Sequence, residues 1–145
     1  MYRVVICDDE QTFSDMQEEV CRAILDKMDI EYQISVFASS AKFMDAFTEQ
    51  PEKFDLILLD IVMNGVDGIE LAKRIRQKSE DVEIIFITSY QDYVFQGYDV
   101  NACGYLMKPV DKQKLEQLIV KAYEKQFKEN MLITQLSHTD SAEKR

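Results

Sequence analysis

Residues 2–10 read Tyr2-Arg3-Val4-Val5-Ile6-Cys7-Asp8-Asp9-Glu10, and residues 54–60 read Phe54-Asp55-Leu56-Ile57-Leu58-Leu59-Asp60. Each is a short apolar run that stops at carboxylates. Such a run, too short for a core helix and rich in Val, Ile and Leu, reads as a strand. A strand apolar on both faces belongs to a parallel sheet covered by helices.

Outward from these two runs, apolar stretches alternate with amphipathic ones, five times in the 145 residues. Gln11 to Met28 sets Phe13, Met16, Val20, Ala23, Ile24 and Met28 on one helical face. Glu31 to Phe37 alternates Tyr32, Ile34 and Val36 as a second strand. Ser39 or Ser40 can cap a helix carrying Phe43, Met44, Ala46 and Phe47, and Pro51 closes that unit. Asn64-Gly65-Val66-Asp67-Gly68 is turn chemistry. Ile69, Leu71, Ala72 and Ile75 form the next helix face, and Val82 to Ile87 is strand four, ending at Thr88-Ser89. A weaker helix covers about Asp92 to Tyr98. Gly104 to Met107 is strand five, ending at Lys108-Pro109, and Asp111 caps a last helix with Leu115, Leu118, Ile119, Ala122 and Tyr123 inward.

Five βα units imply an α/β doubly wound (βα)5 sandwich with right-handed crossovers. In the flavodoxin-like order 2-1-3-4-5, the topological switch lies between strands one and three, and ligands bind beyond their carboxyl ends. That order comes from the fold class and not from any residue. Residues 129–145 have weak periodicity and are expected to be a frayed helix end followed by a tail or linker.

Composition narrows the function. Asp plus Glu number 27 against 17 Lys plus Arg, for a net charge of -10. Residues 1–70 hold 16 acids and 5 bases, and residues 71–145 hold 11 and 12, so the excess sits in the first half. Direct nucleic-acid binding needs a basic footprint, which is missing. Apolar runs are too short for a transmembrane helix, and the N-terminus lacks the h-region of a signal peptide. Cys7, Cys21 and Cys103 make no C-x-x-C pair and read as free thiols in a reducing cytoplasm. A lone histidine, His138, argues against histidine-based catalysis.

Some of the acids converge. Strand one ends at Asp8-Asp9, strand three at Asp60, strand four at Thr88 and strand five at Lys108. In a parallel sheet these share one edge. Three carboxylates in one pocket repel unless a cation neutralises them, and Mg²⁺ binds through one or two carboxylates while keeping waters. Lys108 and Thr88 would pair with phosphoryl oxygens, and Asp60 could act as nucleophile to form an aspartyl phosphate. Each piece alone has a plainer reading: Asp8-Asp9 as a helix cap, Asp60 as a loop acid, Thr88-Ser89 as a cap, Lys108-Pro109 as a strand exit. The four together, each at a strand end, favour the site.

With these residues in view, the chain resembles a CheY-like response regulator receiver domain over residues 2 to about 126. The matching segments are Val4 to Glu10, Leu58-Leu59-Asp60-Ile61-Val62-Met63, Asp67 to Leu71, Phe86-Ile87-Thr88-Ser89 and Gly104-Tyr105-Leu106-Met107-Lys108-Pro109. The resemblance implies Asp60 as phosphoacceptor, and Asp8, Asp9, Asp60 and the Val62 backbone carbonyl around Mg²⁺, with Asp9 the more direct ligand. It implies Thr88 and Tyr105 as the switch pair, Lys108 as the phosphate-pairing lysine, and a cis bond before Pro109. Asn64 stands where many members have proline. Val62 and Tyr90 stand where others carry polar groups, which implies an effect on water access to the phosphoryl group.

The stretch Thr88 to Ala102 is similar to receivers of the LytTR (AgrA-like) subfamily. That implies a DNA-binding effector domain outside these residues, with a stand-alone receiver as the alternative. About 20 residues follow the last βα unit, too few for such a module, so the expected division is 1–128 receiver and 129–145 tail or linker. A sensor histidine kinase is the implied phosphodonor. The face of the fourth helix, fifth strand and fifth helix is the implied output or homodimer surface. Tyr93, Phe95 and Tyr98 contribute to it or serve as core packing. Lys112, Lys114, Lys121, Lys125 and Lys128 line it or form a solvated helix face. The chain is expected to be a cytoplasmic signalling domain and not an ordinary enzyme. A Mg²⁺-dependent phosphohydrolase is the runner-up, though such enzymes carry D-x-D after strand one, where this chain has Asp8-Asp9-Glu10.

Overall fold

The computed structural model describes residues 1–63, 66–89 and 100–143, with only the backbone path given for Val66 and for 128–143. Strands β1 (Tyr2–Cys7), β2 (Tyr32–Phe37), β3 (Leu56–Leu59), β4 (Glu83–Thr88) and β5 (Gly104–Met107) form one sheet. Every pairing is parallel, in the order β2-β1-β3-β4-β5. The doubly wound expectation therefore holds, with β1 beside β3 at the switch point.

Side chains alternate across a strand, and both faces here are filled. Val5, Cys7, Ile57, Leu59, Ile84 and Phe86 pack under α2 (Ser40–Glu49) and α3 (Gly68–Lys78). Val4, Ile6, Leu56, Leu58, Ile85 and Ile87 pack under α1 (Gln11–Lys27) and the C-terminal helix (Lys112–Glu143). Burial of both faces explains why β1 and β3 read as continuous apolar runs.

Caps follow the local chemistry. Ser39 accepts from Lys42 N at 3.3 Å to start α2, Asp67 from Ile69 N at 2.8 Å to start α3, and Asp111 from Lys114 N at 3.0 Å. Gly68 opens α3 against the β3 exit. A Cβ there would lie 2.7 Å from Ile61 Cα and still closer to the Asp60 carbonyl oxygen.

Several details differ from the sequence reading. The buried stripe of α1 is Ser14, Gln17, Val20, Cys21, Ile24 and Leu25, while Ala23 is exposed. The stripe includes polar residues because its first turns face the carboxylates described below. Val36 is 40% exposed on the edge strand β2. Val62–Met63 and Val66–Asp67 pair antiparallel, a bridge too short for periodicity to show. The last helix runs unbroken to Glu143, where the sequence reads a fraying end after 128. No Gly or Pro interrupts residues 112–143. The expected helix near 92–98 lies outside the described residues.

Candidate functional site

The sheet ladder itself delivers the site. One step beyond each strand, the backbone pairing continues: Asp8 N donates to Phe37 O at 3.1 Å, Asp60 N to Cys7 O at 3.0 Å, and Lys108 N to Thr88 O at 2.9 Å. Asp8, Asp60 and Lys108 thus leave the same edge from adjacent or near-adjacent strands. Asp8 is 1% exposed, Asp60 3% and Thr88 1%.

The Lys108 ammonium stands among three carboxylates. Its Nζ lies 3.0 Å from Asp8 Oδ2, 3.1 Å from Glu10 Oε1 and 3.1 Å from Asp60 Oδ2. Its other side meets the Phe13 ring, 4.5 Å to the centroid, a cation–π contact. Asp8 is held further. Its Oδ1 accepts from Glu10 N at 2.9 Å and its Oδ2 from Gln17 Nε2 at 3.1 Å. Val62 N donates to Asp60 Oδ1 at 3.3 Å.

The electrostatics match this crowding. Burial, and then the charge of Asp8, push the Asp60 carboxyl up to about 6, against the pull of Lys108. Burial would lower the Lys108 ammonium, but hydrogen bonds to Asp8 and Glu10 and the Asp60 charge outweigh it and push it up to about 12. Cys7, directly behind Asp8, is pushed up to about 12 by burial and then by the charges of Asp8, Asp60 and Asp9.

Asp8, Asp9, Glu10 and Asp60 each offer a carboxylate oxygen, and these oxygens all lie within 4.8 Å of one another. An all-oxygen, strongly anionic donor set fits a hard divalent cation such as Mg²⁺. Asp8 already accepts from a backbone N–H, an amide and an ammonium. It is therefore better placed to anchor Lys108 than to give an oxygen to a cation, which leaves Asp9, Glu10 and Asp60 as the direct-ligand candidates.

Asp8, Asp60 and Lys108 come together, with Asp9 in the same cluster. Thr88 ends β4, buried, and its carbonyl receives Lys108 N. Tyr105 on β5 stacks on Phe86, with centroids 5.2 Å apart. The Lys108–Pro109 bond is cis. Lys112, Lys114, Lys121 and Lys125 are exposed, and Lys125 reaches Glu83 at 3.4 Å. Tyr90, Tyr93, Phe95, Tyr98, Asn64 and Gly65 lie outside the described residues, as does the side chain of Lys128. Glu10, Phe13 and Gln17 were missed as site residues. Their spacing of three and four places them on one helical turn face directly after Asp8, a signal the sequence does carry.

Comparison with known proteins gives the family and the fold. Residues 4–120 match the family described as Response regulator receiver domain. Sensory transduction protein LytT of Bacillus subtilis (strain 168) is 30% identical over 138 residues, covering 95% of this chain and 54% of that protein. Transcriptional regulatory protein CitT of Halalkalibacterium halodurans is 31% identical over 119 residues, covering 81% and 50%. The chain thus spans about half the length of these curated relatives. A response regulator receiver domain protein from Clostridium thermocellum superposes with a TM-score of 0.75 at 21% identity, covering 91% of this chain and 99% of that one. It supports the fold.

Proposed function

The chain belongs to the response regulator receiver domain family of two-component signalling, and from that premise we propose that Asp60 is its phosphoacceptor. The observation that carries this reading is the Lys108 ammonium, 3.1 Å from a buried Asp60 at the carboxyl edge of the sheet, beside a cluster of further carboxylates. An Asp60 oxygen forms a bond to phosphorus as the bond to the donor's leaving group breaks. For a sensor histidine kinase that group is the imidazole nitrogen. Attack by water later returns the carboxylate and inorganic phosphate.

Mg²⁺, held by Asp9, Asp60 and the Val62 carbonyl with Asp8 behind them, would neutralise charge on the phosphoryl oxygens. Lys108 pairs with one of those oxygens, and the Thr88 hydroxyl moves toward another. Tyr105 then repacks from its place against Phe86. The face containing β5 and the C-terminal helix changes its affinity for a partner, by no more than its differential affinity for the two states. Dimerisation through that face belongs to the same reading. So does transcriptional output through a DNA-binding domain outside these residues, supported by the resemblance to LytT, a sensory transduction protein, and CitT, a transcriptional regulatory protein. Residues 1–128 are the receiver in this reading, and 129–145 begin the connection. Among the described residues no helix is long and apolar enough to cross a membrane, and a cytoplasmic place suits phosphotransfer from a kinase.

Incubation with acetyl phosphate and Mg²⁺ should add one phosphoryl mass to the protein, and Asp60→Ala should abolish it. A parent that gains no mass, or a variant that keeps the gain, would sink the reading. Sustained turnover of small phosphate esters would favour a hydrolase instead.

A further inference from the structure

We infer that Glu10 is a positioning residue of this site: it holds the Lys108 ammonium while no phosphoryl group is present and is the partner that gives it up. This deepens the phosphoacceptor reading of Asp60 and rests on it. An ammonium has three N–H donors. Three carboxylates lie at 3.0–3.1 Å from Lys108 Nζ, and the Phe13 ring sits at 4.5 Å. A phosphoryl oxygen therefore reaches Lys108 only by displacing a carboxylate.

The three carboxylates are not equivalent. Asp8 is 1% exposed and is held by Gln17 and by Glu10 N. Asp60 is 3% exposed and must remain an anion until it attacks, so it stays in place while the donor binds. Glu10 has a side chain 53% exposed. Opening a buried pair strands a charge away from water, whereas an exposed carboxylate is rehydrated as its pair opens. Glu10 is thus the partner whose release costs least. Its half-exposed negative charge, paired with the same ammonium as Asp60, also repels an anionic phosphodonor. It acts through Lys108 and touches no reacting atom.

Glu10→Gln keeps the size and removes the charge. In the presence of Mg²⁺, the KM for acetyl phosphate should fall about three- to tenfold, with a smaller change in maximal rate. The midpoint for beryllofluoride should fall by a similar factor. A second readout needs neither metal nor donor. The Lys108 ammonium protons, followed by nitrogen-15 NMR, should exchange with water faster in Glu10→Gln than in the parent. Unchanged KM, beryllofluoride midpoint and proton exchange would overturn the inference. So would a tenfold rise in the Mg²⁺ requirement at unchanged KM, which would make Glu10 a metal ligand. A parent that takes up no phosphoryl group overturns the Asp60 reading and this inference with it. A responsive parent with an indistinguishable variant overturns this inference alone.

Discussion

Gln17 donates its amide to Asp8 Oδ2 at 3.1 Å, both side chains almost wholly buried, on the oxygen that Lys108 reaches at 3.0 Å. A buried amide on α1 thereby shares the load of a buried carboxylate. Gln17→Leu removes the donor at similar volume and leaves Asp8 with one fewer partner. The variant should be about 1–2 kcal/mol less stable by urea unfolding. Gln17→Glu should cost more, because a second buried carboxylate would face Asp8. A Gln17→Leu midpoint equal to the parent's would show that the contact contributes nothing.

Without metal, Asp60 should be destabilising where it stands. Its carboxyl is pushed up to about 6 by burial and by Asp8, so at neutral pH the metal-free protein holds a disfavoured anion. Asp60→Asn keeps the shape and removes the charge, while Lys108 retains Asp8 and Glu10. In chelator the variant should gain about 1–2 kcal/mol of stability. Mg²⁺ should then raise the melting temperature of the parent more than that of the variant. A variant less stable than the parent in chelator would mean that attraction to Lys108 dominates.

The two halves of this site differed in how legible they were. Asp8, Asp60 and Lys108 could be read because each directly follows an apolar run, and a parallel sheet sends all such ends to one edge. The order β2-β1-β3-β4-β5 was carried by fold class, since no residue encodes which strands are neighbours. Gln17 and Ser14 stayed hidden because hydrophobic periodicity looks for apolar faces. Of the apolar stripe, Val20 and Ile24 are buried and Met16 and Met28 pack against the core, while Ala23 is exposed. The bridge of Val62–Met63 with Val66–Asp67 is two residues a side, below any periodic signal. The unbroken course of the last helix to Glu143 was underread because Ser137, Thr139, Asp140 and Ser141 weaken helix propensity without stopping a helix already under way.

Gly68 should tolerate no side chain. Its amide donates to Ile61 O, and an added Cβ would meet backbone atoms of Asp60 and Ile61, which cannot swing aside as a flexible side chain would. Gly68→Ala should destabilise the fold by about 2–4 kcal/mol despite the better helix propensity of alanine. It should also displace Asp60, so Mg²⁺ should stabilise the variant less than the parent. Equal urea midpoints for Gly68→Ala and parent would show that the α3 start moves away freely.

Alkaline pH should loosen the core face beneath α1. Burial, and then the charge of Glu18, push the Cys21 thiol from an ordinary 9.0 up to about 12. Burial also pushes the Tyr2 phenol upward, as do the charges of Asp55 and Glu83. For Cys21 the folded state keeps a proton that the unfolded chain releases above about pH 9, so unfolding is favoured as pH rises. The Cys21 contribution is complete below pH 9 and is lost as pH climbs toward 12. Its slope is at most about 1.4 kcal/mol per pH unit. Urea midpoints should therefore fall between pH 8.5 and pH 10.5, values chosen at about the onset of this window, and fall less steeply in Cys21→Ala. The same burial should make Cys21 slow to react with a thiol reagent at pH 8, with the half-buried Cys103 reacting first. Identical pH slopes in parent and Cys21→Ala, together with prompt labelling of Cys21 in the folded protein, would show that this thiol is open to solvent.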